Sequence, residues 1–191
     1  IDELERLNRE NSPWQHRFDL ESIGVAGHSY GAFTALAIAG QVFAPGLAMQ
    51  DSVVDPRVKA AIPMSAPVPG NHRRLDESYA SVKIPCLHMT GTKDSSMIGD
   101  TKPEDRRLPY DHCRNSDQFL ITFKDGDHMI FSGRVVRPRS RDKLFQALIC
   151  DSTTAFLDAY LRSNLAKKAW LTNGFKSVLG DAGTFEMKLK E

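Results

Sequence analysis

The 191-residue chain lacks any apolar run near the roughly 18 residues that cross a bilayer, so no transmembrane helix is expected. It also lacks an excess of charge. Lys and Arg number 25 against 24 Asp and Glu, and a net charge of +1 provides no global field for nucleic acid or an anionic membrane. Cysteine is scarce: Cys86, Cys113 and Cys150 are far apart and form no CxxC pair. That spacing argues against a zinc site or a disulfide framework and leaves room for one bridge with a spare thiol. No repeat and no low-complexity tract is present. With 41% hydrophobic and 26% charged residues, the composition is that of a globular domain rather than a disordered segment. The length suits one domain, residues 1–191, with a substantial core. No signal peptide and no initiator Met opens the chain, which begins on Ile1, and a further N-terminal segment is expected upstream.

Four short apolar runs occur in order: SIGVAG (22–27), RVKAAIPM (57–64), IPCLHMTG (84–91) and QFLITF (118–123). Each has the length of a strand, is apolar on both faces and is followed by Gly, Ser or Asp, as buried parallel strands are. Helical patterns lie between and around them. Ile1, Leu4 and Leu7 read as the end of an amphipathic helix, and YGAFTALAIAG (30–40) is an Ala-rich helix closed by Gly40. Arg73–Val82 and the charged stretch Pro103–Asn115 are weaker. A longer helix runs from Arg141 to Ser163, with Leu144, Leu148, Ala155 and Leu161 among its apolar positions. A short helix is expected to end near Trp170, and the Gly-punctuated tail after it has no assignment. Alternating strands and helices predict an α/β fold with a parallel sheet flanked by helices.

Gly27-His28-Ser29-Tyr30-Gly31 matches G-x-S-x-G. The pattern alone is weak, since chance produces it in about 6% of chains this long. Its setting is more telling, because it leaves an apolar strand and opens a helix. A turn that tight strains the central residue, and glycines at 27 and 31 are expected to relieve clashes on either side. Ser29 then projects above the sheet as a nucleophile. The backbone N–H of Tyr30, at the positive end of the helix, becomes an oxyanion donor.

A serine hydroxyl needs a histidine base, and the histidine needs an acid to fix its tautomer. In this fold they follow later strands in the order Ser, acid, His. The third run leads into Gly91-Thr92-Lys93-Asp94, which places Asp94 at a strand's C-terminal end, where open α/β sheets build their sites. A turn-former or helix cap is the other reading of Asp94, and Asp100, then Asp76 and Glu77, are the rival acids. The fourth run leads to Asp125-Gly126-Asp127-His128, which makes His128 the base. His16 precedes the elbow and His28 lies inside it. His72 and His112 fall in polar connections, and His88 sits mid-strand as a core histidine.

GVAGHSYGAFTALAIAG, RVKAAIPMSAP, IPCLHMTGTKD and FKDGDHMIF together resemble the dienelactone-hydrolase-like and platelet-activating-factor-acetylhydrolase-like branch of the α/β-hydrolases. Cutinase-type polyester hydrolases are similar in the same blocks, and the resemblance covers about residues 1–170. It implies a carboxylic-ester hydrolase that uses no cofactor and no metal, with Ser29, Asp94 and His128 as its triad and a small-molecule or polymeric ester as substrate. Dienelactone hydrolases use a cysteine nucleophile; with serine here, lactone chemistry does not carry over. Several strands and a second oxyanion loop precede the elbow in that family. Almost nothing does here, so the resemblance implies a C-terminal portion of the fold, completed by an N-terminal segment of the same protein.

Two other functions fit parts of the pattern. The prolyl-oligopeptidase type of serine peptidase often carries a GxSYG elbow, and a non-catalytic domain could retain the fold. The stretch Ser95–Asn115 reads equally as a rim of the substrate site and as a solvated loop with a helix. Arg134–Arg141, with four arginines around Pro138, reads as a solvated loop.

Overall fold

The computed structural model describes residues 1–43, 53–68, 74–96, 99–133 and 139–190. His72, the start of the helix expected from Arg73, and Arg134 and Arg137 of the arginine-rich run lie outside the described residues. Five strands form one sheet in the order β1 (Ile23–His28), β2 (Val58–Met64), β3 (Cys86–Lys93), β4 (Gln118–Asp127) and β5 (Gly183–Lys188). β1 to β4 are the four expected runs, and they pair in parallel. β5 is new: it adds antiparallel to β4, with Phe119 opposite Met187 and Ile121 opposite Phe185. The sheet is therefore mostly parallel rather than wholly so.

Alternation along the strands divides the core between the two faces. Ala60, Ile62, Leu87, Met89, Phe119 and Ile121 pack on one side with Phe145, Leu148 and Phe156 of α5 (Asp142–Leu161), and with Phe175 of α7 (Phe175–Leu179). Ala61 and Cys86 face the other way, onto Ala32, Leu36 and Ala39 of α2 (Tyr30–Ala39) and Leu75 and Tyr79 of α3 (Leu75–Tyr79). Both faces of the central strands are thus dry, which is why their sequences are apolar throughout. Each fully buried Phe or Leu is worth about 1.5–3 kcal/mol against exposure, so this core is what fixes the strand ends.

α5 buries Leu148 and Ala155 and packs Leu161 against the core as expected, while Leu144 is 44% exposed and Phe145 is buried beside it. The helix following it is also broken. α6 (Leu165–Ala169) widens into a π turn over Trp170–Gly174 before α7 begins. α1 (Asp2–Arg9) buries no residue and is tied to β2 by Arg57, which pairs with Asp2 and Glu5. The three cysteines are free thiols, and no described helix is long and apolar enough to cross a membrane.

His88, on β3, has its Nε2 2.9 Å from Gln118 Oε1. Burial pushes its pKa down to about 4, with the Gln118 hydrogen bond opposing. The folded imidazole stays neutral while the unfolded one takes up a proton near the ordinary value of about 6.5. Between those values the unfolded chain binds more protons, so stability falls as pH drops from about 6.5 to about 4, by at most about 3 kcal/mol from this residue. Thermal unfolding should show that slope, and His88→Gln, which keeps a donor for Gln118, should flatten it. Parallel slopes for the two proteins would rule His88 out as its source.

Candidate active site

The first candidate side chain stands where β1 turns into α2. Ser29 has φ 58° and ψ −119°, outside the regions an L-residue occupies without cost. It is held there from both sides. Its N–H donates to Met64 O at 2.9 Å, and its carbonyl accepts from Ala32 N at 2.9 Å and Phe33 N at 3.2 Å, which starts the helix. The glycine requirement is one-sided. A Cβ at Gly27 would lie 2.1 Å from Gly31 O, but a Cβ at Gly31 would meet nothing within 4 Å. The expected clash at position 31 is therefore absent; the crowding is between residue 27 and the backbone of residue 31. Tyr30 is the first helical residue, and its side chain points outward, 65% exposed.

The other two groups converge through strand register. β3 and β4 run side by side until Lys93 lies opposite Asp127, and the next residue on each strand is Asp94 and His128. This pairing needs the strands to approach very closely at Gly91, where a Cβ would sit 2.2 Å from Gly126 O. Asp127 then caps the 3₁₀ turn His128–Phe131, its Oδ1 accepting from Met129 N at 3.0 Å.

Ser29 Oγ lies 3.0 Å from His128 Nε2, and His128 Nδ1 lies 2.8 Å from Asp94 Oδ1. Asp94 is fully buried and His128 nearly so. With a carboxylate accepting at Nδ1, that nitrogen carries the proton, and Nε2 is left to accept from the serine hydroxyl. The arrangement can therefore withdraw a proton from Ser29 Oγ and return it to a leaving group.

Sequence reasoning missed the residues that surround the acid. Asp94 Oδ2 accepts from the Ser65 hydroxyl and, at 2.9 Å, from Thr90 Oγ1. Ser65 directly follows β2, a strand-end position that could have flagged it. Arg106, from the 3₁₀ turn Pro103–Arg107, places Nε 3.4 Å from Asp94 Oδ1; PEDRR gives no sign of burial. His28, set aside as part of the elbow, has its ring centroid 4.6 Å from that of His128. Burial, and after it the charge of His128, pushes its pKa below the ordinary value.

The rival acids are surface groups. Asp100 is exposed, Asp76 pairs with His112 at 2.7 Å and Arg114 at 3.2 Å, and Glu77 pairs with Arg74. His16 is exposed. Among the described residues no group of three or more His, Cys, Asp or Glu is placed to hold a metal ion.

Comparison with curated proteins gives no match. Comparison with protein families matches residues 3–135 to the family described as serine hydrolase (FSH1), a span that contains Ser29, Asp94 and His128. That span is well over half of the chain, and with the α/β sheet it leads to one assignment: the chain belongs to the FSH1 serine hydrolase family, within the α/β-hydrolase superfamily.

Proposed function

We propose that the protein is a serine esterase that cleaves carboxylic esters through an acyl-enzyme on Ser29. The observation that carries this reading is the unbroken chain of contacts Ser29 Oγ to His128 Nε2 and His128 Nδ1 to Asp94 Oδ1. Ser29 Oγ attacks the ester carbonyl carbon while His128 Nε2 takes its proton. The Tyr30 N–H, at the start of α2, donates to the tetrahedral oxyanion. Collapse breaks the C–O bond, and His128 returns the proton to the departing alcohol. Water then attacks the acyl group with His128 again as base, releasing the acid and restoring Ser29. Asp94 accepts from His128 Nδ1 and stabilises the imidazolium.

Within the superfamily, the blocks around Ser29, Asp94 and His128 support the dienelactone-hydrolase-like, platelet-activating-factor-acetylhydrolase-like and cutinase-type branch. Residues 1–191 are read as one domain, since α5, α7 and β5 share the core cluster of β2 to β4. The ester assignment is tested by comparing p-nitrophenyl butyrate with butyryl p-nitroanilide in pre-steady-state assays. The expected result is a burst of p-nitrophenol stoichiometric with enzyme, as acyl-enzyme accumulates, and much slower anilide turnover. Equal turnover of both would favour a peptidase.

A further inference from the structure

Arg106 lies in a charged segment, yet its side chain is only 1% exposed. A guanidinium taken out of water is costly, and an apolar chain of the same volume often serves packing better. Burial pushes its pKa down and the charge of Asp94 pushes it back up. Its contacts converge on the acid. Nη1 donates to Ser65 O at 2.7 Å, and Nε donates to Asp94 O at 3.1 Å while lying 3.4 Å from Asp94 Oδ1. Nη2 is buried with no acceptor among the described residues.

Ser65 explains why its carbonyl needs holding. It has φ 52°, a left-handed conformation that a non-glycine residue holds at a cost. Its N–H donates to Met89 O at 2.8 Å and its hydroxyl to Asp94, so the bond from Arg106 secures the third polar group. One residue earlier, Met64 accepts from the Ser29 N–H. The exit of β2 thus touches the nucleophile on one side and the acid on the other, and Arg106 pins it.

We propose that Arg106 is a positioning residue for Asp94, clamping the carbonyls of Ser65 and Asp94 and holding a fixed positive charge beside the carboxylate. The inference rests on the Ser29–His128–Asp94 relay proposed above. Asp94 faces His128, Arg106 and the hydroxyls of Ser65 and Thr90; His128 faces Asp94, Ser29 and His28. The other nearby charges are paired elsewhere, Lys93 with Asp125 and Asp127 with Arg139, both at 2.8 Å. Arg106 therefore offsets part of the carboxylate's pull on the imidazolium. With its charge removed, the unopposed carboxylate retains the imidazolium more strongly, and the acid limb of kcat/KM moves to higher pH.

The test is the pH dependence of p-nitrophenyl butyrate hydrolysis by full-length wild type, Arg106→Met and Arg106→Lys, with thermal midpoints measured alongside. Arg106→Met is expected to lose about 10²-fold in kcat at unchanged KM, because the acid is displaced. Its acid limb should move up by about one pH unit. Arg106→Lys keeps the charge, so it should lose less rate and leave the limb in place. Arg106→Gln retains a donor for the Ser65 carbonyl but no charge, and it replaces Arg106→Met if that variant does not fold. A neutral variant whose acid limb coincides with that of wild type would overturn the proposal, whatever its stability. A fluorophosphonate probe separates the two readings. Labelling that does not need Ser29 sinks the relay itself; labelling that needs Ser29, with an unmoved acid limb, sinks only the role of Arg106.

Discussion

Ser29→Ala is expected to lower kcat on p-nitrophenyl butyrate by about 10⁶-fold, with little change in thermal midpoint. The rate loss follows from chemistry, since among the described residues no other hydroxyl is placed on His128 Nε2. What survives is the contribution of substrate binding and the Tyr30 N–H, about 10³–10⁴ over the uncatalysed reaction. The small effect on stability follows from the backbone. Ser29 is held by main-chain bonds to Met64, Ala32 and Phe33, which an alanine retains, and its hydroxyl is hydrogen-bonded to His128. In the proposed mechanism Ser29 and His128 act as a unit, so His128→Ala should cost a similar amount, and the double variant little more than either. Additive losses would mean that the two residues act separately.

Asp94→Asn is expected to cost about 10⁴-fold in kcat. The carboxylate accepts from His128 Nδ1, the Ser65 hydroxyl and Thr90 Oγ1, with the Arg106 guanidinium alongside. An amide of the same shape has one oxygen to accept and an NH₂ that must face donors. If the oxygen faces Ser65 and Thr90, the NH₂ meets His128 Nδ1, which then becomes an acceptor and moves the imidazole proton to Nε2. The ring is left in place with its proton on the wrong side for accepting from Ser29. Asp100→Asn serves as the control, since Asp100 is exposed and its neutralisation should leave kcat within a factor of two or so. A large loss at Asp100 with little at Asp94 would mean the acid has been misassigned.

What could be read in the chain was local. The elbow is five consecutive residues between a strand and a helix, and β2 to β4 are apolar because both sheet faces are covered, whereas β1, at the edge of the described sheet, has no buried residue. Asp94 and His128 are within reach because each follows an apolar run that reads as a strand. What could not be read was register. That Asp94 and His128 meet depends on Lys93 lying opposite Asp127, a pairing of residues distant in sequence. Arg106 was hidden for the opposite reason: a charged stretch has the same local pattern whether water or a carboxylate neutralises it. β5 escaped because an edge strand with one buried residue, Phe185, carries too little alternation to stand out from a tail. On α5 only Leu144 departs from the expected apolar positions, since Leu144 and Phe145 are both apolar and packing against β4 selects the second.

The role of Ser29 is open to a single experiment on the intact protein: reaction with a fluorophosphonate probe, followed by mass spectrometry of the peptides. The phosphonyl group should be found on the peptide containing Ser29, one per molecule, and the Ser29→Ala protein should remain unmodified. Prior incubation with p-nitrophenyl butyrate should slow the labelling, because ester and probe compete for one hydroxyl. Modification of the Ser29→Ala protein at the wild-type rate, or an adduct on any other residue, would contradict a nucleophilic Ser29.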